Sequence, residues 1–373
     1  MQHLAIIGAS YLQLPLILRA REMGFTTHVF AWAAGDPGEK AADFFYPISI
    51  VEKENILEKC REIGICGICS IASDLAVVTV NYVADRLGLP GNSLRSTEMS
   101  TNKHRMREAF FRRGDPCPRS FLVGKDADLE TLKALLPMPA IAKPTDRSGS
   151  RGITKVEDPA ELPAAVARAQ AQSFEGKALA EEFVEGQEYS VEYISFRGRH
   201  HFLALTLKYT TGAPGFIETG HLEPAPVDAE TLARVRAVTE HALDTLEIEN
   251  GASHTELKID AEGRIRLIEI GARMGGDCIG SDLVLRSTGV DFVAAVIDTA
   301  VGREPDLRPV RAPRRTEVRF ILTEADLAAL EELRRTHPER ILREEELHPE
   351  RIGQASDSAT RAGCYLVDLG PLG

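Results

Sequence analysis

Two glutamates on neighbouring predicted strands are the side chains with the clearest potential for chemistry. Glu256 and Glu269 flank a turn at residues 260–263, in a stretch whose alternating pattern predicts an antiparallel hairpin. A two-residue loop would place the glutamates one same-face step apart, and a four-residue loop would place them directly opposite. Both registers put the two carboxylates on one face of the hairpin, because side chains alternate along a strand.

Opposed carboxylates destabilise a sheet unless something neutralises them, and a divalent cation bound by hard oxygen ligands would do so. The alternative is a solvated hairpin face on which Lys258 and His254 share the charge. The opposite face is expected to be the core side, and it carries Leu257, Ile259, Ile268 and Ile270.

A lysine at the end of a strand precedes a loop that is rich in glycine and serine. Lys143 ends the predicted strand 140–143, and residues 146–152 read DRSGSRG. Such a loop can fold its backbone N–H groups around phosphate oxygens while the ammonium offsets their charge. It is not a Walker A motif, and a mobile surface loop beside one lysine is the alternative.

An acidic turn follows the predicted strand 178–184. Residues 181–188 read EEFVEGQE, so the end of the strand can present backbone N–H and C=O groups to a purine edge. A nearby carboxylate can accept hydrogen bonds from ribose hydroxyls. An ordinary acidic turn between two strands has the same sequence pattern.

Cys66 and Cys69 form a CxxC pair, which invites a redox or zinc interpretation. No second CxxC follows, and isoleucines flank the pair. We therefore interpret these cysteines as packing residues of a buried strand.

The first 97 residues alternate short apolar strands with amphipathic helices, which predicts a parallel sheet. Residues 8–10 (GAS) follow the first strand, but the GxGxxG spacing of a dinucleotide site is absent, because Tyr11 and Gln13 stand in its place. No acidic residue ends the second strand. The sequence therefore argues against a nicotinamide site.

Beyond residue 102 the pattern changes to mixed helices and strands. A charged helix is predicted over Lys103–Arg113, and a proline-containing segment, 303–315, resembles a linker to a small C-terminal unit.

Composition excludes several classes of protein. The 373 residues carry a net charge of −12, which argues against general affinity for nucleic acid or anionic membranes. No apolar run approaches the ~18–20 residues needed to span a bilayer. The N-terminus reads as a first strand rather than a secretory leader, so a cytoplasmic location is expected.

Taken in order, several segments resemble the ATP-grasp superfamily, in particular its carbamoyl-phosphate-synthetase-like and amino-acid-ligase branches. The resemblance runs over roughly residues 1–300. Its marks are ASDLAVVTVNYVADRLGLPG (72–91), TNKHRMREAF (101–110), RRGDPCPRSF (112–121), AIAKPTDRSGSRGI (140–153), EEFVEGQEYSVE (181–192), HTELKI (254–259) and IEIGARMGG (268–276).

The resemblance implies a fold that is α/β plus α+β, with a Rossmann-like N-terminal domain at residues 1–97. An ATP-grasp domain would follow at 98–302, with two α+β subdomains that clamp ATP and a lid at about 118–183. Residues 303–373 would form the linker and the small C-terminal subdomain.

The resemblance also implies roles for individual residues. Glu256 and Glu269 correspond to the Mg²⁺ ligands, and Arg273 and Lys143 to catalytic groups at the transferred phosphate. The residues that correspond to the ATP-binding positions are Lys103, Lys143, Ser148, Gly149, Ser150, Gly152, Glu181, Phe183, Val184 and Glu188.

One position departs from the family pattern. Gly271 stands where the family carries an asparagine that contributes to the second metal site. Water or Asp277 would then have to replace that ligand, or the second ion would bind weakly.

The implied function is an ATP- and Mg²⁺-dependent carboxylate–amine ligase that forms an acyl phosphate and then an amide, with Mn²⁺ as an alternative ion. Its partners would be small carboxylates and amines, with no nucleic acid and no membrane, and a homodimer is compatible with the family. A bicarbonate-activating enzyme and a non-catalytic ATP-binding protein are the alternatives. Residues expected at the substrate are Glu218 for an ammonium, His221 for a carboxylate, Arg273, and a helix start at Gly275, Gly276 and Asp277.

Overall fold

The computed structural model describes residues 2–147, 149, 151–213 and 215–372, which form three β-sheets with helices packed on them. The strands are β1 His3–Ile7, β2 Thr26–Phe30, β3 Phe44–Tyr46, β4 Gly67–Cys69, β5 Ser120–Val123, β6 Ala140–Pro144, β7 Thr154–Val156, β8 Ala178–Glu182, β9 Gln187–Phe196, β10 Arg199–Thr210, β11 Glu218–Glu223, β12 Gly251–Ile259, β13 Ile265–Gly271, β14 Arg314–Ile321, β15 Ile341–Glu344 and β16 Gly363–Pro371.

The α-helices are α1 Leu14–Glu22, α2 Pro37–Ala41, α3 Lys53–Ile63, α4 Asp74–Leu87, α5 Leu94–Thr101, α6 Lys103–Arg113, α7 Leu129–Leu135, α8 Leu162–Gln172, α9 Ala229–Thr245, α10 Val284–Thr288, α11 Phe292–Ala300 and α12 Glu324–Thr336. Shorter turns of helix are Pro159–Glu161, Ile279–Leu283, Pro338–Arg340, Pro349–Arg351 and Ser358–Thr360.

The N-terminal sheet is parallel, with the order β3-β2-β1-β4, as the alternation of strands and helices predicts. Helix α4 begins after β4, where the hydroxyl oxygen of Ser73 accepts a hydrogen bond from the Ala76 N–H and caps the helix. The space above Gly8 is filled by the Gln13 side chain, because a Cβ on Gly8 would lie 2.9 Å from Gln13 atoms.

Cys69 is buried in β4 and Cys66 is half-buried beside it. Burial raises the pKa of the Cys69 thiol to about 12. The thiol is therefore protonated and inert at neutral pH, which agrees with the interpretation of this CxxC as core packing.

The second sheet is antiparallel, has the order β5-β8-β6-β7, and carries α7 and α8. It has a hydrophobic cluster of its own, which includes Val123, Leu132, Leu162, Val166 and Ala180. A small unit with a separate core is suited to move as a body. This sheet lies within residues 118–183, and its function as a lid stays a prediction.

The central sheet has eight strands in the order β13-β12-β9-β10-β11-β14-β16-β15. Helix α11 links it to the N-terminal sheet, because Phe292 and Ile297 belong to the same buried cluster as Leu4, Ile6 and Ile194. The middle and last parts of the predicted ATP-grasp region are thereby packed against the N-terminal domain.

The C-terminal segment does not form a sheet of its own. Strand β14 pairs with β11, and β16 and β15 continue from it, so residues after 313 extend the central sheet. The boundaries at 97/98 and 302/303 stay predictions. Among the described residues, no helix is both long enough and apolar enough to cross a bilayer.

A buried carboxyl in the central sheet leads to a prediction about stability and pH. Glu223 is fully buried and accepts hydrogen bonds from the hydroxyls of Thr206 (2.6 Å) and Ser287. Burial raises the pKa of Glu223 to about 8 from an ordinary value of 4.5. The folded protein then holds a proton that the unfolded chain releases, so stability is expected to fall as the pH rises from about 4.5 to about 8.

Glu223→Gln removes this ionisation and is expected to flatten the pH dependence of the free energy of unfolding. At pH 8 the variant should be more stable than the wild type by up to several kcal/mol. Urea unfolding at pH 5 and pH 8 measures the effect. If the wild type and the variant lose the same free energy of unfolding between pH 5 and pH 8, this pH dependence does not come from Glu223.

Candidate active site

The two predicted glutamates meet across the β12–β13 hairpin. Glu256 lies directly opposite Glu269, and both side chains line one cleft between the central sheet and the lid sheet, here called the nucleotide cleft. The hairpin follows neither predicted register throughout. Ile259 pairs with Ile265 across a five-residue turn, and a bulge between Glu256 and Leu257 then brings the glutamates opposite each other.

The bulge corrects one expectation about the faces of the hairpin. Leu257, Leu267 and Ile270 are buried, but Ile268 faces the nucleotide cleft instead of the core. An extra residue at the bulge breaks the two-residue alternation, so Ile268 and Glu269 lie on the same side. The cleft therefore gains an apolar side chain next to its carboxylates.

Each glutamate of the pair holds a lysine. The Lys208 ammonium donates to Glu256 at 2.6 Å, and the Lys103 ammonium donates to Glu269 at 2.6 Å. Burial alone would raise the pKa of Glu256, but Lys208 and His254 outweigh it and hold that pKa well below its ordinary value. Ionised carboxylate oxygens are the donors that Mg²⁺ binds, so this pair fits a hard divalent cation.

His254 is a buried residue of β12 that also lines the cleft. Its Nδ1 contacts the fully buried Glu192, and its Nε2 lies 3.5 Å from Glu256. Burial lowers the pKa of His254, yet Glu192 outweighs this and raises it to about 9. The imidazolium and the Lys208 ammonium therefore approach the same oxygen of Glu256, Oε1.

Lys143 faces the cleft from β6 and pairs with Glu181 at 2.6 Å. Glu181 also accepts from Arg107 at 2.7 Å, and all three side chains are buried. Burial would raise the pKa of Glu181, but the two cations lower it to about 2. The Glu181 carboxylate, which also lines the cleft, is thus paired with two cations, one of which is Lys143.

The expected adenine-binding turn lies at the lid end of the cleft. Phe183 and Val184 both line it, and the Phe183 N–H donates to the Pro139 carbonyl at 3.0 Å. The Lys258 ammonium donates to the Val184 carbonyl and lies 5.0 Å from the centre of the Phe183 ring. Glu188 lies beside this turn and pairs with Lys208 at 3.0 Å.

The glycine-rich loop lies at the mouth of the cleft. Ser148 and Ser150 lie outside the described residues. Gly149 and Gly152 have left-handed backbone (φ +69° and +70°), and Gly149 lines the cleft with Arg147. The Lys103 ammonium donates to the Arg147 carbonyl at 2.7 Å, which connects the loop to the carboxylate pair.

Arg273 faces the same cleft from the segment after β13. Its guanidinium donates two hydrogen bonds to Asp74, at 2.8 and 3.1 Å, and Asp74 belongs to the first turn of α4. Asp74 and Lys208 were not singled out from the sequence. Asp74 lies 199 residues from Arg273, so no local pattern connects them.

The expected substrate residues separate into two groups. Glu218 lines the nucleotide cleft, where the Ser358 hydroxyl donates to it. His221 is buried at 1% exposure and packs edge-on against Phe320. Burial lowers the pKa of His221 to about 3, so it is neutral and shielded, which argues against the expected contact with a substrate carboxylate.

The helix expected to open at Gly275 begins later, at Ile279. Asp277 and Cys278 have left-handed backbone (φ +50° and +66°), and the helical turn Ile279–Leu283 then continues directly into α10. The Gly275 N–H donates to the Glu192 carboxylate at 3.0 Å. Asp277 pairs with Arg361 at 2.7 Å, on the side away from the carboxylate pair.

Two further cavities adjoin the nucleotide cleft. An N-terminal cavity, lined by residues that include Ser10 and Asp74, shares Lys103 and Glu269 with the cleft. A C-terminal cavity of about 710 Å³, lined by residues that include Asp277 and Arg361, shares Leu12 and Ala72 with the N-terminal cavity. The N-terminal cavity therefore shares wall residues with both the nucleotide cleft and the C-terminal cavity.

Comparisons with known proteins agree with this architecture. Residues 136–282 match the family model described as "ATP-grasp domain". The chain is 27% identical over 299 residues to the alanine–anticapsin ligase of Bacillus subtilis, a match that covers 71% of this chain and 63% of that protein. It is 27% identical over 340 residues to carnosine synthase 1 of Mus musculus, covering 82% of this chain and 40% of that protein. The chain thus spans less than two thirds of the length of these relatives.

Solved structures show the same fold over the whole chain. The L-amino acid ligase of Bacillus licheniformis has a TM-score of 0.81 at 24% identity and covers 99% of this chain and 93% of that one. A phosphoribosylglycinamide synthetase from Anaerococcus prevotii has a TM-score of 0.78 at 20% identity and covers 100% and 95%. Residues 136–282 thus match an ATP-grasp domain, and the whole chain has the same fold as these two solved structures, with a parallel sheet in front of the matched region.

Proposed function

We propose that the protein is an ATP- and Mg²⁺-dependent carboxylate–amine ligase that joins an amino acid to a second small molecule through an acyl phosphate. One observation carries this proposal: Glu256 and Glu269 stand opposite each other in a cleft, and each is neutralised by a lysine of that cleft. The names of the relatives support an amide-forming reaction, because they include an alanine–anticapsin ligase and an L-amino acid ligase.

The lysine–glutamate pairs are arranged for an exchange of partners. When Mg²⁺·ATP enters, the triphosphate oxygens compete for Lys103 and Lys208, and the released carboxylates are free to hold the ion. Bound Mg²⁺ would supply charge neutralisation at the phosphate oxygens. Because the two carboxylates and the two lysines already line the cleft, little side-chain movement is needed to complete the site.

The first chemical step is attack of a substrate carboxylate on the γ-phosphate, with ADP as the leaving group. Lys143, on β6, and Arg273, after β13, both line the cleft and would stabilise the negative charge on the transferring phosphoryl group. Glu181 holds Lys143 in the correct direction. Closure of the lid sheet would exclude water, which otherwise hydrolyses the acyl phosphate.

In the second step an amine attacks the acyl carbon and phosphate leaves. We assign the organic substrates to the N-terminal cavity, which shares Lys103 and Glu269 with the cleft, and to the C-terminal cavity, which shares Leu12 and Ala72 with the N-terminal cavity. The Asp277–Arg361 pair offers both charges to a zwitterionic amino acid. Ala72, Asp277 and Cys278 line the C-terminal cavity with left-handed backbone, a form of local strain that is common at functional sites.

The test is Mg²⁺-dependent ADP release with mixtures of amino acids and small carboxylates. Release that requires both a carboxylate and an amine, and that stops with EDTA, is the expected result. Release with bicarbonate alone would replace the proposal with a carboxyphosphate-forming enzyme. Tight ATP binding without release under any condition would indicate a non-catalytic nucleotide-binding protein.

The proposed role of Glu188 in holding the ribose leads to a separate prediction. If its carboxylate accepts hydrogen bonds from ribose hydroxyls, the wild type should bind ATP about 10-fold more tightly than 2′,3′-dideoxy-ATP, as one charged hydrogen bond allows. Glu188→Ala should bind the two nucleotides equally, as measured by calorimetry. Glu185→Ala, on the same turn, is the matched control and should keep the preference. If Glu188→Ala still binds ATP more tightly than 2′,3′-dideoxy-ATP, another residue recognises the ribose.

A further inference from the structure

Gly271 lies where a side chain would meet a carboxylate from another domain. Gly271 follows Glu269 by two residues on β13, so both face the same side of the sheet. A Cβ placed on Gly271 would lie 2.9 Å from the Oδ1 atom of Asp74. The space beside Glu269 that a longer residue would fill is therefore occupied by the Asp74 carboxylate and by the Arg273 guanidinium, whose Cζ and Nε would lie 3.1 Å from the same Cβ.

Asp74 is placed to face the site from the N-terminal domain. It lies in the first turn of α4, where Ser73 caps the helix. Its side chain is 19% exposed and lines the N-terminal cavity together with Lys103 and Glu269. The exposed part of Asp74 thus faces the space next to one of the two hairpin carboxylates.

The pairing of Asp74 repeats the pattern of the two glutamates. Glu256 pairs with Lys208 and Glu269 with Lys103, while Asp74 pairs with Arg273 at 2.8 Å. The cations in these pairs are groups of the nucleotide cleft that a triphosphate would attract. Each of the three carboxylates is therefore paired with a cationic side chain that would turn to the triphosphate when the nucleotide binds.

Asp277, the other acidic residue considered as a substitute ligand, is not in this position. Its carboxylate pairs with Arg361 at 2.7 Å and lines the C-terminal cavity. It does not line the nucleotide cleft or the N-terminal cavity, whereas Asp74 lies against Gly271. The geometry favours Asp74 as the third carboxylate.

We propose that Asp74 is a ligand for a divalent cation of the nucleotide site and that it supplies, from the N-terminal domain, the oxygen that Gly271 cannot. This inference rests on the proposed function, because it requires that Glu256 and Glu269 bind a metal–nucleotide complex. It makes the metal site a structure shared by two domains. Binding of the metal–nucleotide complex would then also fix the N-terminal domain against the ATP-grasp domain.

The test measures Mn²⁺ binding by electron paramagnetic resonance in the presence of a non-hydrolysable ATP analogue. Asp74→Ala is expected to weaken Mn²⁺ binding at least about 10-fold, which is the scale seen when groups that support a metal site are removed. The double variant Asp74→Ala with Gly271→Asn places an amide oxygen in the vacated space, and it is expected to recover most of the loss. Asp85→Ala, on the same helix but away from the site, is the matched control and should bind Mn²⁺ as the wild type does.

Three results would overturn the inference in different ways. Wild-type affinity in Asp74→Ala would show that Asp74 is not a ligand. Weak binding in both Asp74→Ala and the double variant would show that Asp74 acts only by holding Arg273. Failure of the wild type to bind Mn²⁺ with the nucleotide would overturn the proposed function itself. If Asp74→Ala does not fold, as judged by circular dichroism, the isosteric Asp74→Asn takes its place with the same expected direction.

Discussion

Glu269→Gln is expected to lower the rate of substrate-dependent ADP release by about 10²–10³-fold, the scale of losing one group that stabilises charge in the transition state. The variant keeps the shape of the side chain but removes the charge that Lys103 now neutralises at 2.6 Å. Without that charge the proposed metal site loses a ligand, and Lys103 is left with a neutral partner in a largely buried position. Both effects act on the phosphate-transfer step, so the loss should appear in kcat more than in the KM of the organic substrates.

Glu262→Gln provides the matched control for Glu269→Gln. Glu262 lies in the turn of the same hairpin and is exposed, and its carboxylate pairs with the exposed Arg264. The rate of ADP release by Glu262→Gln is expected to stay within about twofold of the wild-type rate, since exposed ion pairs contribute little. A similar loss in both variants would mean that the hairpin as a whole, and not the Glu269 carboxylate, supports the reaction.

Glu181→Gln is expected to reduce the free energy of unfolding by about 3–5 kcal/mol, because removing one member of a buried ion pair leaves uncompensated charge. Arg107 and Lys143 would then face each other across a neutral amide in a site where all three side chains are buried. In the wild type, the pKa of about 2 means that this stabilisation is present above pH 4.5 and is lost as the pH falls toward 2. Guanidinium unfolding at pH 7 measures the effect.

Glu182→Gln is the control for Glu181→Gln because it changes the neighbouring residue in the same strand. Glu182 is half-buried and lies 3.5 Å from the exposed Arg266, so its loss should be below about 1 kcal/mol. If Glu181→Gln is as stable as Glu182→Gln but binds ATP poorly, Glu181 contacts the nucleotide directly. That result would restore the role that the sequence resemblance assigned to it.

The parts of the site that a local pattern encodes were predicted correctly in position. A loop of even length would put Glu256 and Glu269 on one face by alternation alone, whereas the observed turn has five residues and the bulge at Ile268 restores the shared face. Helix α6 has the bounds expected from its charge pattern, Lys103–Arg113. The parallel N-terminal sheet also follows from the repeated order of strands and helices.

The parts that failed depend on tertiary packing. The bulge that turns Ile268 into the cleft requires a two-against-one pairing, which the alternation of apolar residues does not reveal. His221 has the residue type of a ligand but lies in a strand that β14 covers. The Asp74–Arg273 pair joins residues 199 positions apart, so only the packing of α4 against the end of β13 brings them together.

The central claim is that ATP drives ligation through an acyl phosphate, and isotope transfer tests it most directly. A carboxylate substrate labelled with ¹⁸O in both oxygens loses one of them when the amine displaces phosphate, because the C–O bond breaks. We expect one ¹⁸O in each inorganic phosphate released, measured by mass spectrometry, together with one ADP per amide formed. Unlabelled phosphate in the presence of amide formation would contradict the acyl-phosphate route, and with it the roles given to Lys143, Arg273 and the carboxylate pair.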